Sequence, residues 1–103
     1  MTTAEGGAGR RERLDDAEIA RRLEQSEWKQ DAGGIERTFR FSGFRDAIGF
    51  VDRVADLAEQ RDHHPDIDIR YHNVKLQLST HSEGGLTSRD FDVANEIEQS
   101  IEY

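Results

Sequence analysis

The chain has 103 residues, no cysteine and a net charge of −8, with 22 acidic residues against 14 basic ones. This length is enough for one small domain, the lack of cysteine excludes a disulfide scaffold, thiolate zinc sites and a cysteine nucleophile, and the acidic balance argues against nucleic acid as a partner. No apolar run approaches the roughly 20 residues of a membrane span, and the N-terminal segment lacks the apolar stretch of a signal peptide, so we expect a cytoplasmic protein with no membrane partner.

The N-terminal part of the chain is predicted to hold a disordered tail and then a helix. Residues 1–13 contain three glycines and a charged run. They carry too few apolar side chains to order themselves, so we place the folded domain at 14–103. Asp15 or Asp16 can cap a helix whose modest apolar stripe ends near Ser26.

Two strands and the longest helix are predicted next. Gly33-Gly34 marks a turn between a strand that follows Trp28 and a strand over 35–41, where apolar and polar residues alternate. From Arg45 to Gln60, apolar residues recur at spacings of three and four. This spacing predicts a helix whose apolar face is broad enough to cover a sheet.

The segment after this helix is predicted to form a β-hairpin. Apolar residues alternate on both sides of His72-Asn73, which we take as a two-residue turn. This turn sets a register in which all apolar pairs share one face: Tyr71 opposite Val74, Ile69 opposite Leu76 and Ile67 opposite Leu78. The same register carries Pro65 opposite Thr80 and His64 opposite His81, where we expect the pairing to fray and a pocket to form.

The last helix is predicted to begin after Thr87, which is its expected N-cap. Asp90 falls at the third helical position, and Leu86 and Phe91 fall at the two positions of a hydrophobic staple. The chain then has the order helix, two strands, long helix, two strands, helix. This order predicts an α+β domain in which helices cover one face of an antiparallel sheet.

Three of the four histidines, His63, His64 and His81, are predicted to share one site. An imidazole has both protonation states available near neutral pH, so these side chains can act as general acid and base. Glu59 and Asp62 are close enough in sequence to orient or tune them.

Each of these candidates also has a simpler interpretation. The histidines can be surface polar groups, or together with Asp66 they can be ligands of a divalent metal. Trp28 can wall a pocket for a flat ring, or it can pack in the core, which is the commoner fate of a lone Trp. Asp90 can position a ligand, or it can be a favourable charge at a helix N-terminus.

Several short segments together resemble one enzyme family. Asp62-His63-His64-Pro65 and Leu78-Ser79-Thr80-His81 stand at the spacing of the pterin-4a-carbinolamine dehydratases, and Gly85-Leu86-Thr87 is followed by Asp90 as in that family. Further matches are Phe39-Arg40-Phe41 and Tyr71-His72-Asn73-Val74. The resemblance extends from Leu14 to Ile101.

The resemblance implies a lyase that dehydrates 4a-hydroxytetrahydropterin to quinonoid dihydropterin without a metal or an organic cofactor. It implies that His63 takes the ring-nitrogen proton while His64 or His81 protonates the departing hydroxyl. It also implies a set of residues that bind the pterin substrate: Trp28, Glu59, Asp62, Pro65 and Asp90.

The resemblance further implies the architecture and the assembly. We expect a two-layer α+β fold, with three helices on one face of a four-stranded antiparallel sheet, that forms a homodimer or a homotetramer. The alternative is a non-catalytic pterin-binding or protein-interaction module that has kept the fold. The acidic residues are spread along the chain and predict an acidic surface, which fits both a salt-adapted protein and an ordinary solvated surface.

Overall fold

The structure, a computed structural model, describes residues 12–80 and 83–101. Its elements follow the predicted order: α1 Asp16–Leu23, β1 Lys29–Asp31, β2 Gly34–Arg40, α2 Phe44–Arg61, β3 Asp66–Arg70, β4 Asn73–Leu78 and α3 Ser88–Ser100. Most of the predicted tail, residues 1–11, lies outside the described part of the chain, and so does His81. None of the helices described is long and apolar enough to cross a membrane.

The four strands form one antiparallel sheet in the order β1-β2-β4-β3. Alternate residues of the two central strands are buried on one face of the sheet: Ile35, Phe39, Val74, Leu76 and Leu78. The helices cover this face with a second set of buried residues: Ile19, Phe50, Val54, Phe91 and Ile97. The α+β fold predicted from the sequence is therefore confirmed.

The register of the β3–β4 hairpin differs from the predicted one by two residues. Ile69 pairs with Val74 and Ile67 pairs with Leu76, so the turn is Tyr71-His72. The predicted turn at His72-Asn73 is wrong because Asn73 is a strand residue, paired with Arg70 on one side and with Arg40 on the other. A shift of two residues keeps every side chain on its predicted face, since side chains in a strand alternate with a period of two.

The new register also changes what lies beyond the hairpin. The β3–β4 ladder ends at the pair Asp66–Gln77, and Thr80 forms a β-bridge with Gly85. The predicted opposition of Pro65 and Thr80 is therefore wrong. The predicted proximity of His64 and His81 used the same register, and no contact in the described residues tests it.

The first hairpin turns one residue earlier than Gly33-Gly34 suggests. Asp31 pairs with Gly34, so Ala32 and Gly33 form the turn, with φ values of +50° and +83°. Gly34 is a strand residue, and a Cβ atom there would lie 2.4 Å from the carbonyl oxygen of Leu78. Glycine at this position therefore permits the close approach of β2 and β4.

Candidate active site

The C-terminus of α2 fixes the backbone of Asp62 and of the predicted catalytic residue His63. Asp62 adopts the left-handed conformation, with φ of +51°, and its N–H donates to Glu59 O at 3.3 Å. The N–H of His63 donates to Ala58 O at 3.1 Å. This pair of hydrogen bonds is a Schellman motif, which often ends a helix with glycine; aspartate is one of the few other residues that tolerate the conformation.

His63 points into the protein and meets Asp90. Its Nε2 atom lies 2.6 Å from Asp90 Oδ1. His63 is 8% exposed and Asp90 is 0% exposed, so this hydrogen bond is shielded from water. A buried carboxylate requires such partners, because an unpaired charge in the interior is costly.

The second oxygen of Asp90 has two further donors. Asp90 Oδ2 accepts from the Thr80 hydroxyl at 2.8 Å and from the Thr87 N–H at 3.0 Å. The second of these bonds belongs to a capping box, in which the Thr87 side chain also accepts from the helix backbone. A carboxylate accepts hydrogen bonds only, so His63 donates from Nε2, and Nδ1 is the nitrogen that can exchange a proton with a bound molecule.

Arg89, which precedes Asp90 in α3, binds Asp62, which precedes His63. Its Nη2 atom donates to the carbonyl oxygen of Asp62 at 2.8 Å. Two consecutive residues in the first turn of α3 therefore bind the two residues that directly follow α2. These contacts fix both the position and the orientation of the His63 ring.

His64 points the other way, into a more open environment. Its Nε2 atom lies 2.6 Å from Glu59 Oε2, and the two side chains are 53% and 76% exposed. Pro65, which follows, is half-buried. The structure thus pairs His63 with Asp90 and His64 with Glu59, while the position of the third predicted histidine, His81, lies outside the described residues.

Trp28 is buried, as its core-packing interpretation predicts. Its Nε1 donates to Glu98 Oε2 at 3.0 Å, and Arg37 binds the same oxygen. Glu98 lies eight residues after Asp90 in α3, which is about 12 Å along a helix. The role of Trp28 in binding a substrate stays a prediction.

A cavity of about 470 Å³ lies beside Trp28. Among the residues that the structure describes, its lining comes from α1, the segment after α1, and the α3 residues Phe91, Ala94, Asn95 and Glu98. Phe91 directly follows Asp90 in α3. The cavity therefore extends along α3, away from the helix N-terminus that holds His63.

The remaining candidates that the structure describes do not form a metal site. In the ranges 12–80 and 83–101, no three His, Asp or Glu side chains converge as metal ligands would. Asp66, named in the metal alternative, is exposed at the start of β3. His72 lies in the turn of the second hairpin, where its Nδ1 is 2.6 Å from Phe41 O.

Sequence reasoning did not identify Thr80 and Arg89 as parts of the site. Both act on neighbours that are distant in sequence: Thr80 on Asp90 and Arg89 on Asp62. The available signal was position alone, since Arg89 precedes Asp90 and Thr80 precedes a predicted catalytic histidine. Nothing in a single sequence specifies which long-range partner such a side chain will take.

Comparison with known proteins gives one consistent result. The sequence profile of the family described as pterin 4 alpha carbinolamine dehydratase matches residues 12–100. A protein of Chloroflexus aurantiacus, provisionally named pterin-4-alpha-carbinolamine dehydratase, is 52% identical over 88 residues, which are 84% of this chain and 95% of the relative.

Solved structures give the same result for the fold. The crystal structure of a transcriptional coactivator/pterin dehydratase from Brucella melitensis is similar with a TM-score of 0.80 and 34% identity, covering 84% of this chain and 96% of that one. A pterin dehydratase-like protein, described as a RuBisCO assembly factor in the alpha-carboxysome, is similar with a TM-score of 0.62 and 20% identity. That second similarity covers 73% of this chain and 89% of the other, and it concerns the fold alone.

Proposed function

Because the chain belongs to the pterin 4 alpha carbinolamine dehydratase family, we propose that it dehydrates a 4a-hydroxytetrahydropterin to a quinonoid dihydropterin and water. The observation that carries this proposal beyond family membership is the buried hydrogen bond between His63 and Asp90. This hydrogen bond supports Nδ1 of His63 as the proton acceptor, and His63 is the residue to which the resemblance gives that role.

The reaction needs one base and one acid. The base removes the proton from N5 of the pterin, the electron pair forms the C4a=N5 double bond, and the C4a–O bond breaks as the hydroxyl takes a proton and departs as water. Neither redox change nor an external reactant enters this balance. Proton transfer by a positioned imidazole contributes roughly 10² to 10⁴ in rate to such a step.

We assign the base to His63. Its Nε2 is occupied by Asp90, so Nδ1 accepts the N5 proton. The imidazolium that forms lies against the Asp90 carboxylate, which stabilises the new positive charge, and this stabilisation is stronger at a site shielded from water. Both carboxylate oxygens of Asp90 already accept hydrogen bonds, from His63, Thr80 and Thr87. This arrangement favours an indirect role for Asp90 over contact with the pterin.

We assign the acid to His64 or His81. His64 Nε2 lies within hydrogen-bond distance of the exposed carboxylate of Glu59, which orients the ring. Its partial exposure leaves room for a substrate to approach. The roles of Asp62, Pro65 and Trp28 in binding the pterin are part of this proposal, and so are the cytoplasmic location and the homo-oligomeric state.

The test is the dehydration of a synthetic 4a-carbinolamine by the purified protein, compared with the His63→Ala variant. We expect turnover well above the spontaneous rate, a loss in the variant, and little change after exhaustive chelation, because acid and base groups suffice for this reaction. Turnover equal to the spontaneous rate would overturn the proposal.

A second candidate function is a protein-interaction module on the same fold. It is favoured by one observation: the Brucella melitensis relative is described as both a coactivator and a pterin dehydratase. The two functions make different predictions. A module without catalysis would show no turnover, and replacement of His63 would not affect its binding to a partner.

A further inference from the structure

We propose that Thr80 is a positioning residue for His63 and that it acts through the carboxylate of Asp90. The inference rests on the proposed function, in which His63 is the base. In this role Thr80 does not need to contact the substrate. Four buried groups form the cluster through which it acts: the hydroxyls of Thr80 and Thr87, the Asp90 carboxylate and the His63 ring.

The hydroxyl protons of this cluster have only one consistent arrangement. Thr80 has one hydroxyl proton, and it is donated to Asp90 Oδ2 at 2.8 Å. The Thr80 and Thr87 hydroxyl oxygens are 2.9 Å apart, so Thr87 must be the donor in that contact. The Thr87 oxygen in turn accepts from the N–H of Arg89 at 3.2 Å. Each hydroxyl proton then has an acceptor. The Thr87 hydroxyl donates to Thr80, and the Thr80 hydroxyl donates to Asp90.

Thr80 is itself fixed by backbone hydrogen bonds to the segment that precedes α3. Its N–H donates to Gly85 O and its carbonyl accepts from Gly85 N, both at 3.3 Å, and its carbonyl also accepts from Glu83 N at 3.1 Å. The Asp90 carboxylate is therefore held on Oδ2 by two donors, the hydroxyl of a β-bridge residue and the N–H of the capping box of α3. Two donors on Oδ2 restrict rotation of the carboxylate and keep Oδ1 aimed at His63 Nε2.

The consequence concerns the tautomer of His63. If the Thr80 hydroxyl is removed, the Thr87 N–H is the one donor among the described residues that stays on Asp90 Oδ2, and the Thr87 hydroxyl loses its contact with Thr80. With one of its supports gone the carboxylate can turn about its Cβ–Cγ bond, so Oδ1 no longer stays opposite His63 Nε2. The ring can then populate the tautomer with the proton on Nδ1, in which the base is blocked.

The test compares Thr80→Val, which keeps the shape and removes the hydroxyl, with Thr80→Ser, which keeps the hydroxyl. Thr38→Val is the matched control, because Thr38 is an exposed threonine on the β2 strand. We expect Thr80→Val to lower kcat by about ten- to a hundredfold with KM changed little, which is the scale for a misplaced catalytic group. Thr80→Ser should recover most of this loss, and Thr38→Val should have no effect.

The second readout needs no substrate and so separates this inference from the proposed function. Nitrogen-15 NMR of the His63 ring should show the proton on Nε2 in the wild type and in Thr80→Ser, and a mixture of tautomers in Thr80→Val. If the wild type has no dehydratase activity but these spectra are found, the positioning role stands and the proposed function fails. An unchanged His63 spectrum in folded Thr80→Val, or a Thr80→Ser variant as impaired as Thr80→Val, would overturn the inference.

Discussion

The guanidinium of Arg89 donates a hydrogen bond of 2.8 Å to the carbonyl oxygen of Asp62. Asp62 is the left-handed residue at the end of α2, so this contact ties the end of one helix to the first turn of another. A second contact, between His63 and Asp90, lies immediately beside it. The loop that carries the proposed base is thus fixed by backbone geometry and by two side chains together.

The role of the Asp62 side chain can be separated from the role of its backbone. Asn tolerates the left-handed conformation as well as Asp does, so Asp62→Asn should keep the free energy of unfolding within about 0.5 kcal/mol of the wild type. If the carboxylate binds the pterin, the variant should raise KM. Urea unfolding and steady-state kinetics check both statements, and a marked loss of stability would show that the charge itself supports the helix end.

Asp90→Asn should damage both activity and stability. An amide group offers one acceptor and one donor, whereas the site presents donors to both oxygens. The amide NH2 would therefore face a donor, or the His63 ring would have to move its proton to Nδ1, which blocks the base. We expect a loss of about 1 to 3 kcal/mol in unfolding free energy and of at least about a hundredfold in kcat. Asp56→Asn, on the exposed side of α2, is the matched control and should change neither quantity. Full activity in Asp90→Asn would mean that His63 does not need this partner.

The parts of the fold that depend on local sequence could be predicted. Thr87 is the N-cap of α3 and Asp90 is the third helical residue of its capping box, as their spacing indicates. The long apolar period of α2 is likewise present in the sequence, and the helix extends one residue beyond the prediction at each end. Such features are determined by neighbours within one helical turn.

The parts that depend on long-range geometry could not be predicted. The hairpin turn was misplaced because Tyr71 adopts a φ of +54°, which is unusual for a bulky residue and has no sequence signal. The apolar pattern could not correct the error, since a shift of two residues leaves the faces unchanged. The bond between His63 and Asp90 joins residues 27 positions apart, and only the packing of α3 against α2 brings them together.

The first hairpin turn offers a stabilising substitution. Ala32 has a φ of +50°, and the left-handed conformation costs a residue with a Cβ atom about 1 kcal/mol. Asn followed by Gly is the preferred pair for a two-residue turn with two positive φ values. Ala32→Asn should therefore raise the unfolding free energy by about 0.5 to 1 kcal/mol, while Ala32→Val should lower it. Chemical denaturation measures both, and equal stability in the three proteins would contradict the assignment of this turn.

The exposed ion pairs of α1 predict a small dependence of stability on pH. Hydrogen bonds from Arg22 and then from Arg21 lower the pKa of Glu18 below its ordinary value of 4.5. A lowered pKa in the folded state means that the stabilisation is present above pH 4.5 and is lost as the pH falls through the folded value. Glu18→Gln should thus be slightly less stable than the wild type at neutral pH and equal to it in acid. Thermal unfolding across this range checks the prediction, and high salt should reduce the difference because the pairs are exposed.

The two histidines that follow α2 should differ in their effects on folding, and their single variants decide which histidine is the acid. His63→Ala should lose on the order of a hundredfold or more in kcat because it removes the base, and His64→Ala should lose as much if His64 is the acid but little if the acid is His81. If His64 is the acid, the double variant should lose less than the product of the two, because acid and base serve the same step. His72→Ala is the control: its ring lies in the hairpin turn and contacts Phe41 O, so activity should be nearly unchanged.

The same variants should differ in stability. His63→Ala leaves Asp90 with fewer donors and should unfold more readily, whereas replacing the exposed His64 should have little effect on stability. Wild-type turnover in a double variant that still melts cooperatively would show that both side chains are ordinary polar groups, and the interaction module would then be the better account of this protein.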